Sequence, residues 1–383
     1  TYLWTGDESL LEDYFPQIKK GLHWLLSEKD ENGNLIPEGA GTMEIHGLES
    51  EMIDVASYTQ QAFEDAHSIA SVLQKDSLAI VYKGYATELK NKINDEFWSS
   101  EFNSYADFIG TDGEALQLIE DAIVRADTLQ KPWAVEELIQ TKKYITAHPS
   151  NEPRPFVLHH NWVVNTPMET GVADVEKAKM ALETGRKFTN PFGVFVTGID
   201  RDESAENEEG SFKGSKQFSY TGAVMTLPTG VSAIGENNYG NPDMALDYLK
   251  RMGKSFSFAL PGSIYEVSPD YGMFAQAWNI YSYAIPIIHQ FFGLAPNAPA
   301  HKIKISPNMP STWKNASLEN VKVGSNTISI QYEETESELV ITFSQTEEDW
   351  EILVVPPNGY TTTPTMETRG NTLVYTFSLA DKP

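Results

Sequence analysis

The stretch Leu294-Ala-Pro-Asn-Ala-Pro-Ala-His-Lys-Ile-Lys-Ile305 divides this 383-residue chain into two unlike patterns. Pro296 and Pro299 carry no backbone N–H and break a helical run, and Lys302-Ile-Lys-Ile305 then alternates charged and apolar residues with the period of a half-buried strand. Downstream, Leu318-Glu-Asn-Val-Lys-Val323, Thr327-Ile-Ser-Ile-Gln-Tyr332, Glu338-Leu-Val-Ile-Thr-Phe343, Trp350-Glu-Ile-Leu-Val-Val355 and Thr372-Leu-Val-Tyr-Thr-Phe377 repeat that signal between Gly, Asn, Pro and Ser. Short apolar or alternating runs so bounded predict an all-β unit of six or more strands, arranged as a sandwich. The domain boundary is therefore expected near 296, with residues 296–383 forming the β-sandwich.

Upstream, residues 1–295 read mainly as helices joined by long loops. Leu10, Leu11, Tyr14, Phe15, Ile18, Leu22, Leu25 and Leu26 recur at helical spacing, as do Ile53, Ala56, Ala62, Phe63, Ala66, Ile69, Ala70 and Leu73. The same pattern predicts helices over 77–95, 131–145, 160–174, 175–187, 220–238, 242–254 and 273–292. The loops 28–50, 99–115, 146–158, 189–219 and 255–272 are longer and more polar than connectors. Such loops are usually functional, and five of them recurring between helical pairs predict one face of a helical barrel that carries a site. An α-solenoid would require a fixed sequence period, and none is visible.

Composition narrows the chemistry. With 28 basic against 54 acidic residues the net charge is −26, which repels nucleic acid and anionic membrane and fits a neutral substrate. No apolar run approaches the roughly 20 residues needed to span a bilayer. The absence of cysteine excludes disulfides, thiolate metal sites and cysteine nucleophiles. The chain opens at Thr1 and runs almost at once into a helical pattern, so a piece of a longer protein is expected. One sequon, Asn315-Ala-Ser317, has meaning only in a eukaryotic secretory context. The sequence leaves localisation open, with a periplasmic or secreted place favoured over a cytoplasmic one.

The first catalytic candidate is Glu266, a lone carboxylate in a loop shaped by Gly262, Pro269 and Gly272 just ahead of an aromatic-rich helix. Tyr265, Tyr271, Phe274, Trp278 and Tyr281 are more aromatic surface than a helix cap needs. Aromatic walls exclude water and suit a carboxylate that activates a single water molecule; the alternative is a cap or an ion pair. His159-His-Asn-Trp162 is a second polar and aromatic cluster. Adjacent histidines on a helix diverge, which argues against a shared metal. His160, Asn161 and Trp162 read either as contacts to sugar hydroxyls and a sugar face or as helix packing. Glu169 is a further carboxylate able to line a pocket, and Tyr220 at a helix start can present a phenol there. Asp200-Arg-Asp-Glu203 and Glu206-Asn-Glu-Glu209 match no calcium loop and read as a solvated acidic segment. Phosphate-loop, dinucleotide, zinc and Ser-His-Asp signatures are absent.

Taken in order, these segments resemble the six-hairpin, (α/α)6-barrel glycoside hydrolases, in particular glycogen-debranching-type glucosidases and α-L-rhamnosidases. Tyr2-Leu-Trp-Thr-Gly-Asp7 with Leu10 and Leu11 is similar to the opening of a barrel hairpin, and Glu96-Phe-Trp98 with Tyr105 to a Phe-Trp then Tyr segment. Thr42-Met-Glu44, followed by the run from Ile53 to Phe63, resembles the acid-bearing loop and its helix. Glu266 with Ala275-Gln-Ala-Trp278 resembles the general-base loop and is the most specific match. Arg154-Pro155 through Asp174 lacks the family's Asn-Gln, and Phe218-Ser-Tyr-Thr-Gly222 stands where His-Gln-Gly is usual. Ile305-Ser-Pro-Asn-Met-Pro310 and Trp313 resemble the family's C-terminal sandwich.

The resemblance implies a mainly α protein: an (α/α)6 toroid over 1–295, short of its first helices, with the β-sandwich behind it. It implies an inverting, exo-type glycoside hydrolase of a neutral oligosaccharide or glycoconjugate, with no organic cofactor and no metal. Glu266 would be the general base. Among Glu38, Glu44, Glu49 and Glu51, Glu44 matches the acid position best, flanked by Thr42, Met43 and Ile45. Asp54, His160, Asn161, Trp162, Glu169, Tyr220, Tyr265 and Trp278 would contact sugar. The alternatives are a phosphorylase of related fold, which requires a basic phosphate pocket, and a carbohydrate-binding or scaffold protein that kept the toroid and lost catalysis. A segment or domain of the same gene product is a further expected partner.

Overall fold

The computed structural model describes residues 1–43, 49–198 and 222–380, apart from the side chains at 43, 277 and 278. Eleven α-helices lie within these residues: α1 (Tyr2–Thr5), α2 (Ser9–Glu28), α3 (Ile53–Val72), α4 (Asp76–Glu96), α5 (Asp112–Thr128), α6 (Pro132–Ala147), α7 (Thr166–Glu169), α8 (Val175–Gly185), α9 (Thr226–Asn238), α10 (Pro242–Gly253) and α11 (Ala277–Ala284). The chain divides into two compact units: Phe15–Tyr239 with Asp247–Ser282, and Thr1–Tyr14 with Gly240–Leu246 and Tyr283–Pro383.

The first unit is helical and its helices differ in how they are buried. In α3, Ile53, Ala56, Phe63, Ala66 and Ala70 are buried together with Asp54, Ser57, Thr59 and Gln60, so most of its circumference faces protein. α4 buries Ala79, Tyr82, Ala86, Leu89 and Ile93 at alternating three- and four-residue steps, the single apolar stripe of a helix with one wet face. Short connections, 73–75 and 129–131, fold α3 on α4 and α5 on α6 as hairpins. α9 is buried from Thr226 to Asn237 apart from the half-buried Leu227, and small residues let its neighbours approach. A Cβ on Gly230 would lie 2.0 Å from Ser282 Oγ of α11, so only glycine fits there.

Sequence periodicity misses α5, whose first turn falls in the expected 99–115 loop. Its start signal is a capping box: Glu114 N–H donates to Thr111 Oγ1 at 3.2 Å and Thr111 N–H donates to Glu114 Oε2 at 2.7 Å. The helix expected over 160–174 is also revised. His160 has φ 43, in the left-handed region, and Asn161 caps a 3-10 turn, Trp162–Asn165, that leads into the four-residue α7. Gly171, at φ 73, lies beyond α7 in place of a continuing helix.

The long loops carry short strands that are too brief to show a period: β1 (Glu38–Gly39), β2 (Ser50–Met52), β3 (Trp98–Ser99), β4 (Ser104–Tyr105), β5 (Phe108–Gly110), β6 (Arg154–Phe156), β7 (Thr189–Asn190), β8 (Gly193–Phe195) and β9 (Val224–Met225). They pair antiparallel as β1-β2-β5-β6, β3-β4 and β7-β8-β9, so the loops are held by backbone ladders.

The second unit holds β10 (Leu294–Asn297), β11 (Lys302–Ile305), β12 (Asn315–Val323), β13 (Asn326–Glu334), β14 (Glu338–Gln345), β15 (Glu351–Val354), β16 (Thr365–Arg369) and β17 (Thr372–Ser378). An antiparallel sheet runs β12-β13-β14-β17-β16, and a second runs β10-β11-β15 with β11 and β15 parallel. Both contribute to one core: Leu294, Ile303 and Ile305 from the smaller, Ile328, Ile341, Phe343 and Phe377 from the larger. The expected boundary segment is itself a strand, β10. α1 belongs to this unit, with Trp4 edge-on to His289 at 5.5 Å and Trp4 O accepting the Gly324 N–H at 2.7 Å.

Candidate active site

Glu266 stands on a tight hairpin. Its N–H donates to Met273 O at 2.8 Å, and Val267 and Tyr271 exchange backbone bonds at 3.1 Å in both directions. The hairpin is fastened to the β7-β8-β9 ladder, because Val267 bridges Met225 and Ser268 N–H donates to Val224 O at 2.9 Å. Glu266 O accepts the N–H of Thr226, the first residue of α9, at 3.0 Å. The carboxylate is half-buried, and its Oε2 lies 3.4 Å from the Met273 N–H. Gly272 has φ 77, and a Cβ there would lie 2.9 Å from Glu266 Oε2, so glycine at 272 leaves room for the carboxylate.

Asn279 of α11 ties this hairpin to α9: its Nδ2 donates to Ile264 O at 2.8 Å and its Oδ1 accepts from Thr226 Oγ1 at 2.6 Å. Two residues on, the Tyr281 hydroxyl donates to Oε1 of Glu169, whose Oε2 accepts from the Tyr58 hydroxyl at 2.8 Å. Glu169 is thus a carboxylate gripped by phenols from α3 and α11. Burial pushes its pKa up and the two phenols draw it back down, leaving it above the usual range. Burial and the facing carboxylate keep both phenols protonated beyond the ordinary tyrosine range. Tyr58 was not singled out from sequence, and Tyr281 was read there only as one of the aromatic residues beside Glu266. For Tyr58 the one legible hint is that it follows Asp54 by one helical turn.

Of the other expected site residues, Glu44 and Tyr220 lie outside the described residues, as does the side chain of Trp278. Asp54 is 1 % exposed and accepts the Thr42 N–H at 2.7 Å and the Thr42 hydroxyl, so it anchors the segment leading to residue 44 instead of reaching into open space. Its Oδ1 is buried without a hydrogen-bond partner among the described residues. Tyr265 is buried within the hairpin. Glu51, one of the acid candidates, sits in β2. The amides of Asn32 and Asn34 donate to it at 2.8 and 2.7 Å, while burial raises its pKa. Glu38 Oε2 accepts the Glu31 N–H at 2.9 Å, and Glu49 is exposed.

The His159 to Trp162 cluster is organised by a residue that sequence did not single out. Asp107, fully buried, accepts the N–H groups of Leu158, His159 and Asn161 at 2.8, 3.2 and 2.9 Å, and burial pushes its pKa up to about 6. Asn161 and Trp162 are buried, which favours the packing reading for both. His160 is half-buried, stacks on Phe188 at 4.6 Å and lines a cleft of about 900 Å3 that none of Asp54, Tyr58, Glu169 or Glu266 lines. Among the described residues no group of three or more His, Asp or Glu is placed to hold a metal ion.

No family model and no curated protein matches the chain by sequence. Solved structures do match by fold. A sialidase aligns with TM-score 0.60 and 13 % identity over 87 % of this chain and 29 % of its own. The GH78 family rhamnosidase of Bacillus sp. GL1 aligns with TM-score 0.53 and 14 % identity over 93 % of this chain and 32 % of its own. The α-L-rhamnosidase from Dictyoglumus thermophilum aligns with TM-score 0.53 and 13 % identity over 99 % and 37 %. The chain spans about a third of the length of the structures it matches. At such identities the likeness shows the fold alone, one this chain shares with the sialidase and the two rhamnosidases.

Proposed function

We propose that this chain is the catalytic part of an inverting, exo-type glycoside hydrolase that cleaves a glycosidic bond in a neutral oligosaccharide or glycoconjugate. In this reading its helices belong to an (α/α)6 toroid and its β unit is the sandwich that accompanies it. The observation that carries the reading is a pair of half-buried carboxylates in unlike settings: Glu266 on a glycine-shaped hairpin, and Glu169 between two phenols. The shared fold with glycoside hydrolases adds to it.

Inversion needs a base that takes a proton from water as its oxygen attacks the anomeric carbon, and an acid that protonates the departing glycosidic oxygen. The two carboxyl groups stand roughly 6.5–9.5 Å apart. Glu266 is the base in this proposal and Glu44 the acid. Glu169, whose two phenols oppose the upward push of burial on its pKa, accepts hydrogen bonds from sugar hydroxyls through its remaining lone pairs. The net charge of −26 suits a neutral substrate and disfavours phosphate as the attacking group.

The test is a panel of aryl and natural glycosides offered to the wild-type chain and to Glu266→Gln, with the product anomer followed by proton NMR. An inverted product, turnover lowered in Glu266→Gln by about 10²–10⁴-fold or more, and sugar binding retained are expected. A retained anomer sinks the inverting assignment, and unchanged turnover in Glu266→Gln removes that residue from the chemistry.

A further inference from the structure

We infer that the cleft beside His160 is a second saccharide site, which binds a neutral oligosaccharide away from the Glu266 and Glu169 carboxylates. The inference rests on the proposed carbohydrate function for its ligand class, and on the cleft's own geometry for its place. At about 900 Å3 the cleft lies at the upper end of ligand-site volumes and has room for more than one sugar ring.

Its walls have the composition such a ligand needs. Trp98, Phe102, Tyr144, His160 and Phe188 present partly exposed rings to it, and flat rings of this kind pack against the C–H face of a pyranose. Gln140, Thr141 and Ser99 supply neutral donors and acceptors among them. The charged lining residues are Glu101, Glu137, Arg154 and Lys187, two of each sign, so in a chain of net charge −26 this cleft is locally balanced and favours an uncharged ligand. Arg154 is paired with Asp112, its Nε donating to Oδ1 at 2.8 Å, which offsets its charge within the wall.

The wall is also built rigidly. Asp107 takes the backbone N–H groups on both sides of His160, at Leu158, His159 and Asn161, and holds His160 at φ 43. A non-glycine residue in the left-handed region is strained, and in this conformation the imidazole lies against Phe188, 4.6 Å away, and Phe102, 5.5 Å away. A buried carboxylate that maintains a strained, half-exposed ring is what a preorganised binding wall requires and what plain packing does not.

The experiment uses the full chain in calorimetric and saturation-transfer NMR titrations with four neutral hexasaccharides: maltohexaose, cellohexaose, mannohexaose and chitohexaose. Tyr144 is 46 % exposed on α6, so Tyr144→Ala removes a ring from the cleft without opening the core. At least one hexasaccharide is expected to bind, Tyr144→Ala to weaken it about tenfold, and Tyr144→Phe to restore it to within about threefold. Binding by none of the four overturns the inference, as does binding that Tyr144→Ala and Phe102→Ala leave unchanged. The parallel assay with an aryl glycoside separates this outcome from the proposed activity. Cleft binding without hydrolysis refutes the hydrolase reading alone, and hydrolysis without cleft binding refutes the second site alone.

Discussion

The Tyr58 hydroxyl donates a 2.8 Å hydrogen bond to Oε2 of Glu169, joining residues 111 positions apart in the chain. The Tyr281 hydroxyl meets the other oxygen from 112 positions further on. One carboxylate therefore locks α3, the end of α7 and α11 together. It is held against a burial cost that only donors can offset.

Removing one donor gives a signed outcome. The phenols lower the pKa of Glu169, so Tyr58→Phe raises it further above the usual range. If the anion receives sugar hydroxyls, KM rises as pH falls through that pKa, and in Tyr58→Phe the rise begins at higher pH while kcat at neutral pH changes less. The lost bond costs stability of about 1–2 kcal/mol, the lower part of the range for bonds to charged groups because Glu169 keeps some access to water. Superimposable KM–pH profiles for variant and wild type remove Glu169 from substrate binding.

Gly272→Ala tests the setting of Glu266. The new Cβ meets Glu266 Oε2 at 2.9 Å and adopts φ 77, so both a displaced carboxylate and a backbone cost of about 1 kcal/mol are expected. Gly262→Ala is the control: it has the same φ of 77, in the same loop, with no atom within 4 Å. Both variants should melt similarly below wild type, and only Gly272→Ala should lose kcat by about tenfold or more. Equal kcat in the two variants removes the hairpin from catalysis.

What was legible in the chain follows from the length of the signal. α4, α6, α8 and α10 run for 11 to 21 residues, long enough for a 3.6-residue period to show, and their ends fall within two residues of expectation. β13 and β14 were legible because inward and outward residues alternate along them, Ile328, Ile330 and Tyr332 being buried. The two-residue strands β3, β4, β7 and β9 have no period to read, and α5 was missed although Thr111 and Glu114 spelled its capping box. Glu266 was singled out as a candidate through its loop glycines and aromatic neighbours. Tyr58 and Asp107 were not, because the hydrogen bonds that place them reach partners distant in sequence, Glu169 in one case and residues 158–161 in the other.

The Arg186 guanidinium forks onto Glu236 with both contacts at 2.6 Å, and Glu236 is fully buried. Arg186→Met leaves that carboxylate without its forked partner, a change that typically costs about 3–5 kcal/mol. Adding Glu236→Gln removes the buried charge and should recover part of the loss. The measurement is a double-mutant cycle from urea unfolding, and single-variant losses that simply add would mean that the pair is not coupled.

His159 and Asp107 give opposed dependences on pH. Burial, then Arg125 and His160, push the His159 pKa down from 6.5 to about 3. As pH falls through this window the unfolded chain takes up a proton that the folded chain refuses, so stability is lost, at most by a few kcal/mol. Asp107 works the other way: its folded pKa of about 6 exceeds the unfolded value of 3.8, so between these values the folded chain gains a proton and stability rises as pH falls. In wild type the two contributions offset each other from about pH 6 to about pH 4. His159→Leu deletes the first and leaves the second, so urea midpoints measured across this range should climb on acidification in the variant relative to wild type. Parallel curves for the two proteins would show that His159 takes up its proton in the folded state near the ordinary pKa, and that its burial does not govern its titration.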